Sequence, residues 1–128
     1  CGGKREGRAF MPTVLSETRP EMKVRCEEIF GPVTTLDRYE TFEEAIAEVN
    51  RSRYGLQAGV FTSDMERAFV AHRDIEVGGV IVNDMSAFRA DQMPYGGVKD
   101  SGIGREGLRY AMEEMTDSRI MVVSGISL

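Results

Sequence analysis

Hydrophobic positions recur along this chain with two different periods. Phe42, Ala45, Ile46 and Val49 fall at helical spacing behind Thr41-Phe42-Glu43-Glu44, which has the form of a capping box, so the pattern predicts a helix over 42–51 with one face inward. Ser63-Asp64-Met65-Glu66 repeats the device, and Met65, Ala68, Phe69 and His72 then share a face. A last helix is predicted over 104–115, with Leu108, Ala111, Met112 and Met115 inward. Residues 11–15, 32–36, 57–62 and 79–83 are instead short extended runs bounded by turn residues, and residues 119–124 have the same character. The order strand, helix, strand, helix, strand implies an α/β fold with a largely parallel sheet flanked by helices. Residues 84–102 interrupt it. A connection beyond ~12–15 residues is usually functional or disordered, and this one carries Phe88, Arg89, Asp91, Met93 and Tyr95.

Composition narrows the function classes. At 128 residues, 41% hydrophobic and 29% charged, the chain has the size and make-up of one soluble domain. A domain of that size buries roughly two thirds of its unfolded surface. No apolar run approaches the ~20 residues a membrane-spanning helix needs, and the start, Cys1-Gly2-Gly3-Lys4-Arg5-Glu6-Gly7, lacks an apolar signal core and an initiator Met, which suits a piece of a longer chain. A net charge of −5 with scattered basic residues disfavours nucleic acid. Cys1 and Cys26, with one histidine and no Cys-x-x-Cys spacing, give neither a disulfide framework nor a zinc site, so a reducing, cytoplasmic setting is expected.

Gly102-Ile103-Gly104-Arg105-Glu106-Gly107 satisfies G-x-G-x-x-G. A phosphate-cradling turn of that kind follows a buried strand, whereas Val98-Lys99-Asp100-Ser101 is polar and too little chain follows to complete a βαβ unit. The glycines are expected to allow a tight turn into the last helix, with Ser101 or Asp100 near its start.

Two stretches carry a resemblance: Glu27-Glu28-Ile29-Phe30-Gly31-Pro32-Val33, and Pro94-Tyr95-Gly96-Gly97-Val98-Lys99-Asp100-Ser101-Gly102-Ile103-Gly104-Arg105-Glu106-Gly107. Between them, in order, lie Asn50, Tyr54-Gly55-Leu56, Gly59-Val60-Phe61-Thr62 and Gly78-Gly79-Val80-Ile81-Val82-Asn83. The ordered set resembles the C-terminal part of an NAD(P)-dependent aldehyde dehydrogenase. The resemblance implies part of an α/β catalytic domain over residues 1–116 and a C-terminal oligomerisation strand over 117–128. It implies NAD or NADP as cofactor, an aldehyde as substrate and a homo-oligomer joined through that strand. The nucleophilic cysteine and general-base glutamate of such enzymes lie upstream, so the chain alone is expected to be inactive.

The same resemblance suggests roles for four residues. Glu28 and Phe30 match the family's E-x-F-G-P positions, where the carboxylate accepts the ribose hydroxyls of the cofactor and the ring packs beside the nicotinamide. On residue type alone, Glu27 and Glu28 read as a solvated acidic pair and Phe30 as core. Phe88 and Arg89 fall where the family's long loop lines the aldehyde tunnel, Phe88 as an apolar wall. Arg89 either clamps a substrate carboxylate or phosphate, or pairs with Asp91 and stiffens the loop. Neither cysteine matches the nucleophile's position. His72 reads as a packed or helix-end imidazole, and Arg105 and Glu114, at opposite ends of the last helix, are not expected to touch. Two rival readings stay open: a freestanding, non-catalytic module that self-associates through residues 120–124, and a small nucleotide-binding protein using residues 102–107.

Overall fold

Apolar residues gather on one side of two capped helices and give the chain its centre. The computed structural model describes residues 1–126. A short hairpin opens it, β1 (Arg5–Glu6) against β2 (Ala9–Phe10), followed by β3 (Thr13–Ser16), the single-turn helix α1 (Lys23–Cys26) and β4 (Val33–Leu36). Next come α2 (Phe42–Asn50), β5 (Tyr54–Gly55), β6 (Gln57–Val60), α3 (Met65–Asp74), β7 (Gly79–Val82), β8 (Val98–Lys99) and α4 (Leu108–Glu114). Ile46 of α2 packs with Ala71 and Ile75 at the end of α3, over Ala58 and Val60 of β6 and Val80 of β7.

Both long helices start where a side chain satisfies their free amides. The Thr41 hydroxyl accepts from the Glu44 N–H at 3.1 Å, while the Glu44 carboxylate accepts from Glu40, one residue before the position a strict capping box uses. For α3 the cap is Asp64, one residue later than Ser63, and it accepts from Glu66 and Arg67.

The strands do not assemble into the expected largely parallel sheet. They form four separate two-stranded ladders: β3 with β4 and β6 with β7 are parallel, β1 with β2 and β5 with β8 antiparallel. The unit β6–α3–β7 is the βαβ motif the pattern predicts; β5 and β8, too short for a periodic signal, lie outside it. Residues 119–124 form no strand, because a strand exists only by pairing and no described segment pairs with them. Residues 127–128 of the expected C-terminal strand lie outside the described residues.

Helix faces also differ from the pattern. In α2, Ile46 is buried and Phe42 and Ala45 half-buried, as expected, whereas Val49, the fourth residue of that face, is exposed. In α3 the buried face is Ala68 and Ala71, while Met65, Phe69 and His72 face outward, Phe69 at 68% exposure. α4 begins at Leu108, not 104, and Leu108, Met112 and Met115 are exposed. Large apolar side chains remain outside because the described chain offers nothing to cover them. The accessible surface is 10,792 Å², against about 6,800 Å² for a compact monomer of this mass, so about half of the unfolded surface is buried where two thirds is expected.

Candidate functional site

The loop after β7 is laid on the face of β6. Alternate residues of a strand share a face, so Gln57 and Gly59 lie side by side. At Gly59 a Cβ would stand 2.7 Å from the Asp84 carbonyl oxygen, so the missing side chain lets the loop backbone lie against the strand. The Gln57 amide donates to the carbonyls of Ser86 and Phe88. Farther along, Tyr95 and Glu106 exchange backbone hydrogen bonds and close the loop.

Arg89 is held by that closure and not by Asp91. Its Nη2 donates to the Glu106 carboxylate at 2.9 Å, and its guanidinium stacks 4.4 Å from the centre of the Tyr95 ring. The pair is exposed, so it fixes the direction of the guanidinium more than it stabilises the fold. One of five N–H donors is engaged this way, leaving others for an anion. Phe88 is half-exposed beside it.

Glu28 and Phe30 sit on the irregular segment between α1 and β4. Glu28 borders a concavity of about 550 Å³ together with Tyr54, Gln57, Val77 and Ser101. Among the described residues its carboxylate has no ion pair and no side-chain hydrogen bond. Phe30 is 92% exposed, so it is no part of the core formed by the described residues; a ring this exposed forgoes about 2 kcal/mol or more of burial. Glu28 and Gln57 share the concavity, and Gln57 also holds the loop bearing Phe88 and Arg89. Among the described residues the Arg89 guanidinium pairs with Glu106 and not with Glu28.

The glycine run proves structural. β8 is a two-residue strand antiparallel to β5, and the helix after the run is capped by Gly107 at φ 122. Gly104, at φ 76, meets the Glu114 carboxylate where a Cβ would be. Arg105 donates to the carbonyls of Gly97 and Gly104. Ser101 and Asp100 do not cap α4: the Ser101 hydroxyl accepts from the Gly55 N–H, and Asp100 pairs with Arg53.

Elsewhere, Cys1 and Cys26 are exposed, and the Cys26 thiol donates to the Pro20 carbonyl at 3.0 Å. His72 lies exposed in the last turn of α3. Among the described residues no cluster of His, Cys, Asp or Glu is placed to hold a metal, and no helix is long and apolar enough to cross a membrane. Gln57, Tyr95 and Glu106 were not legible as site residues. Only the polar Gln57 at the head of an otherwise apolar strand gave a local signal.

The family model described as the aldehyde dehydrogenase family matches residues 1–121. The chain is 54% identical over 123 residues to the 3-sulfolactaldehyde dehydrogenase of Priestia aryabhattai, covering 96% of the chain and 26% of that protein. Among solved structures it resembles aldehyde dehydrogenase 21 of Physcomitrella patens in complex with the product succinate, with a TM-score of 0.87 and 53% identity, covering 90% of the chain and 24% of that one. It also resembles glyceraldehyde-3-phosphate dehydrogenase GapN of Methanocaldococcus jannaschii complexed with NADP, with a TM-score of 0.84 and 44% identity over 91% of the chain and 25% of that one. The chain therefore spans about a quarter of the length of the relatives it matches.

Proposed function

The chain belongs to the aldehyde dehydrogenase family, and on that premise we propose that it is the C-terminal segment of an enzyme oxidising an aldehyde to a carboxylic acid with NAD or NADP. Residues 1–116 serve the catalytic domain, and residues 117–128 supply a strand for a homo-oligomer. An upstream cysteine would add to the aldehyde as a thiohemiacetal, and an upstream glutamate would activate the water that cleaves the thioester left after hydride loss. Bound NAD(P)+ supplies the hydride acceptor.

The observation that carries the reading is the pair Glu28 and Phe30: an unpaired carboxylate at a concavity and, two residues on, a ring with almost no cover. These groups fit a ribose diol and a flat aromatic ring, the first accepting hydroxyl donors and the second offering a face. Glu28 holds the ribose and Phe30 borders the nicotinamide. Phe88 walls the aldehyde path, and Arg89, steadied by Tyr95 and Glu106, points its remaining donors at an anionic group on the substrate. Sulfolactaldehyde, succinate and glyceraldehyde-3-phosphate, named with the relatives, all carry such a group.

Cofactor kinetics test the reading. In the full-length enzyme, Glu28→Ala is expected to raise KM for NAD(P)+ about 10- to 100-fold, the loss of a hydrogen bond to a charged group; an unchanged KM removes Glu28 from the site. The 128-residue chain with cofactor and aldehyde is expected to reduce none. Sustained turnover by it, abolished in Cys26→Ala, would overthrow the segment reading.

A further inference from the structure

We propose that Gln57 is a positioning residue for the substrate loop, setting the direction of Phe88 and Arg89 from the β6 strand beneath them. This rests on the role given above to those two residues. Three observations converge on it. The Gln57 amide nitrogen lies 2.5 Å from the Ser86 carbonyl oxygen and 3.0 Å from that of Phe88, so both of its N–H bonds are spent on the loop backbone immediately before Arg89. The chemistry fixes the orientation of the amide, because its oxygen cannot face two carbonyl acceptors.

The partner strand makes room for this reach. Gln57 stands opposite Gly79 in the β6–β7 register, and a Cβ at Gly79 would fall 3.1 Å from Gln57 Oε1 and 3.5 Å from its Cγ. The amide therefore crosses β7 over a bare backbone to meet the loop that follows that strand. Its Oε1 is buried there without a partner, an arrangement a merely space-filling side chain has no reason to keep. Next to it, Gly59 supplies the clearance that lets residues 84–86 rest on the strand. One residue gives the loop its donors and the other its bed.

The second fixed point of the loop is the Tyr95–Glu106 bridge, which also carries the partners of Arg89. Arg89 is thus aimed from both sides: its backbone through Gln57, its guanidinium through Glu106 and Tyr95. Gln57 also borders the concavity that Glu28 lines. Loss of its hold on the loop changes how the substrate is met.

Two variants reach the same joint from opposite sides. Gln57→Glu keeps the size but sets a carboxylate against two carbonyls; Gly79→Ala keeps every atom of Gln57 but displaces its amide. In the full-length enzyme, hydrogen exchange followed by mass spectrometry is expected to rise about tenfold or more in peptides covering 84–93 in both variants and to stay unchanged over 65–74. In the same enzyme, KM for an anionic aldehyde is expected to rise about tenfold in both, and in Gly79→Ala KM for NAD(P)+ is expected to hold. Unchanged exchange over 84–93 in both variants overturns the proposal. So does an equal rise in both KM values in Gly79→Ala. If Gln57→Glu loosens the whole chain, Gly79→Ala alone decides. Altered exchange in an enzyme that never oxidises aldehydes would sustain the positioning role and overturn the functional reading, so the two fail separately.

Discussion

Asn50 joins the ends of two helices with one side-chain amide. Its Nδ2 donates to the Asp74 carbonyl at 2.7 Å and its Oδ1 accepts from the Glu76 N–H at 2.8 Å, while Lys99 reaches in to the Asn50 carbonyl and the Glu76 carboxylate. Asn50→Ala breaks both amide bonds and leaves the partly buried Asp74 carbonyl unmet, so it is expected to lower stability by about 1–3 kcal/mol, read as a lower urea midpoint; an unchanged midpoint would mean solvent replaces both bonds freely. Beside it, Arg73 donates to both oxygens of Asp74 and holds that carboxyl below the usual carboxylate range. A carboxyl lowered in the fold favours the folded chain above its unfolded pKa and gives that up as pH falls through the folded value. The contribution is small because the pair faces solvent. Arg73→Gln is expected to return Asp74 upward to the ordinary range in an NMR titration, and a titration curve that stays put would discount the pair. At this scale a motif singled out Glu28 and Phe30, and the fold puts the first at a concavity and leaves the second exposed. The sequence was silent on Glu106 and gave only a local hint of Gln57, since their partners lie far along the chain and are met only through the fold.

Elements were legible where the signal was local. Thr41 and the Ser63-Asp64 pair announced two helix starts because a cap acts within one turn, and only the exact capping residue at α3 had to come from structure. Thr41→Ala and Asp64→Ala are each expected to cost about 0.5–2 kcal/mol in urea denaturation, with Asp64 the more sensitive since it accepts two amides where Thr41 accepts one; the reverse order would show that tertiary packing, not the cap, sets these ends. Inward faces were less legible. Both faces of α3 carry apolar residues, and periodicity alone could not say that Ala68 and Ala71 pack on the strands while Met65 and Phe69 do not. Small residues win there because α3 lies close against β7, leaving no depth for a larger ring on that side. The ladders were misjudged for a related reason: strand pattern predicts extension, but pairing depends on neighbours, and each short ladder has found only one.

For the whole molecule, surface is the deciding quantity. An excess of about 4,000 Å² over a compact monomer is larger than the 1,200–2,000 Å² total that an ordinary stable interface removes. Phe30, Phe61, Phe69, Leu108 and the apolar residues of 120–123 are among the groups that carry it. Exposed apolar area on this scale drives association at roughly 25 cal/mol per Å² before the losses of ordering and translation. At micromolar concentration the isolated chain is therefore expected to sediment as species heavier than its 14.2 kDa mass, to bind a hydrophobic dye, and to lose both properties in part when Phe69→Ser and Leu108→Ser are combined. The rest of a full-length enzyme would cover the same groups, so that protein is expected to leave the dye dark over this segment. A chain that stays monomeric and dark over a hundredfold range of concentration would show that these residues find cover within the 128 residues in solution, and the case for a missing remainder would then rest on the quarter of its relatives' length that the chain spans.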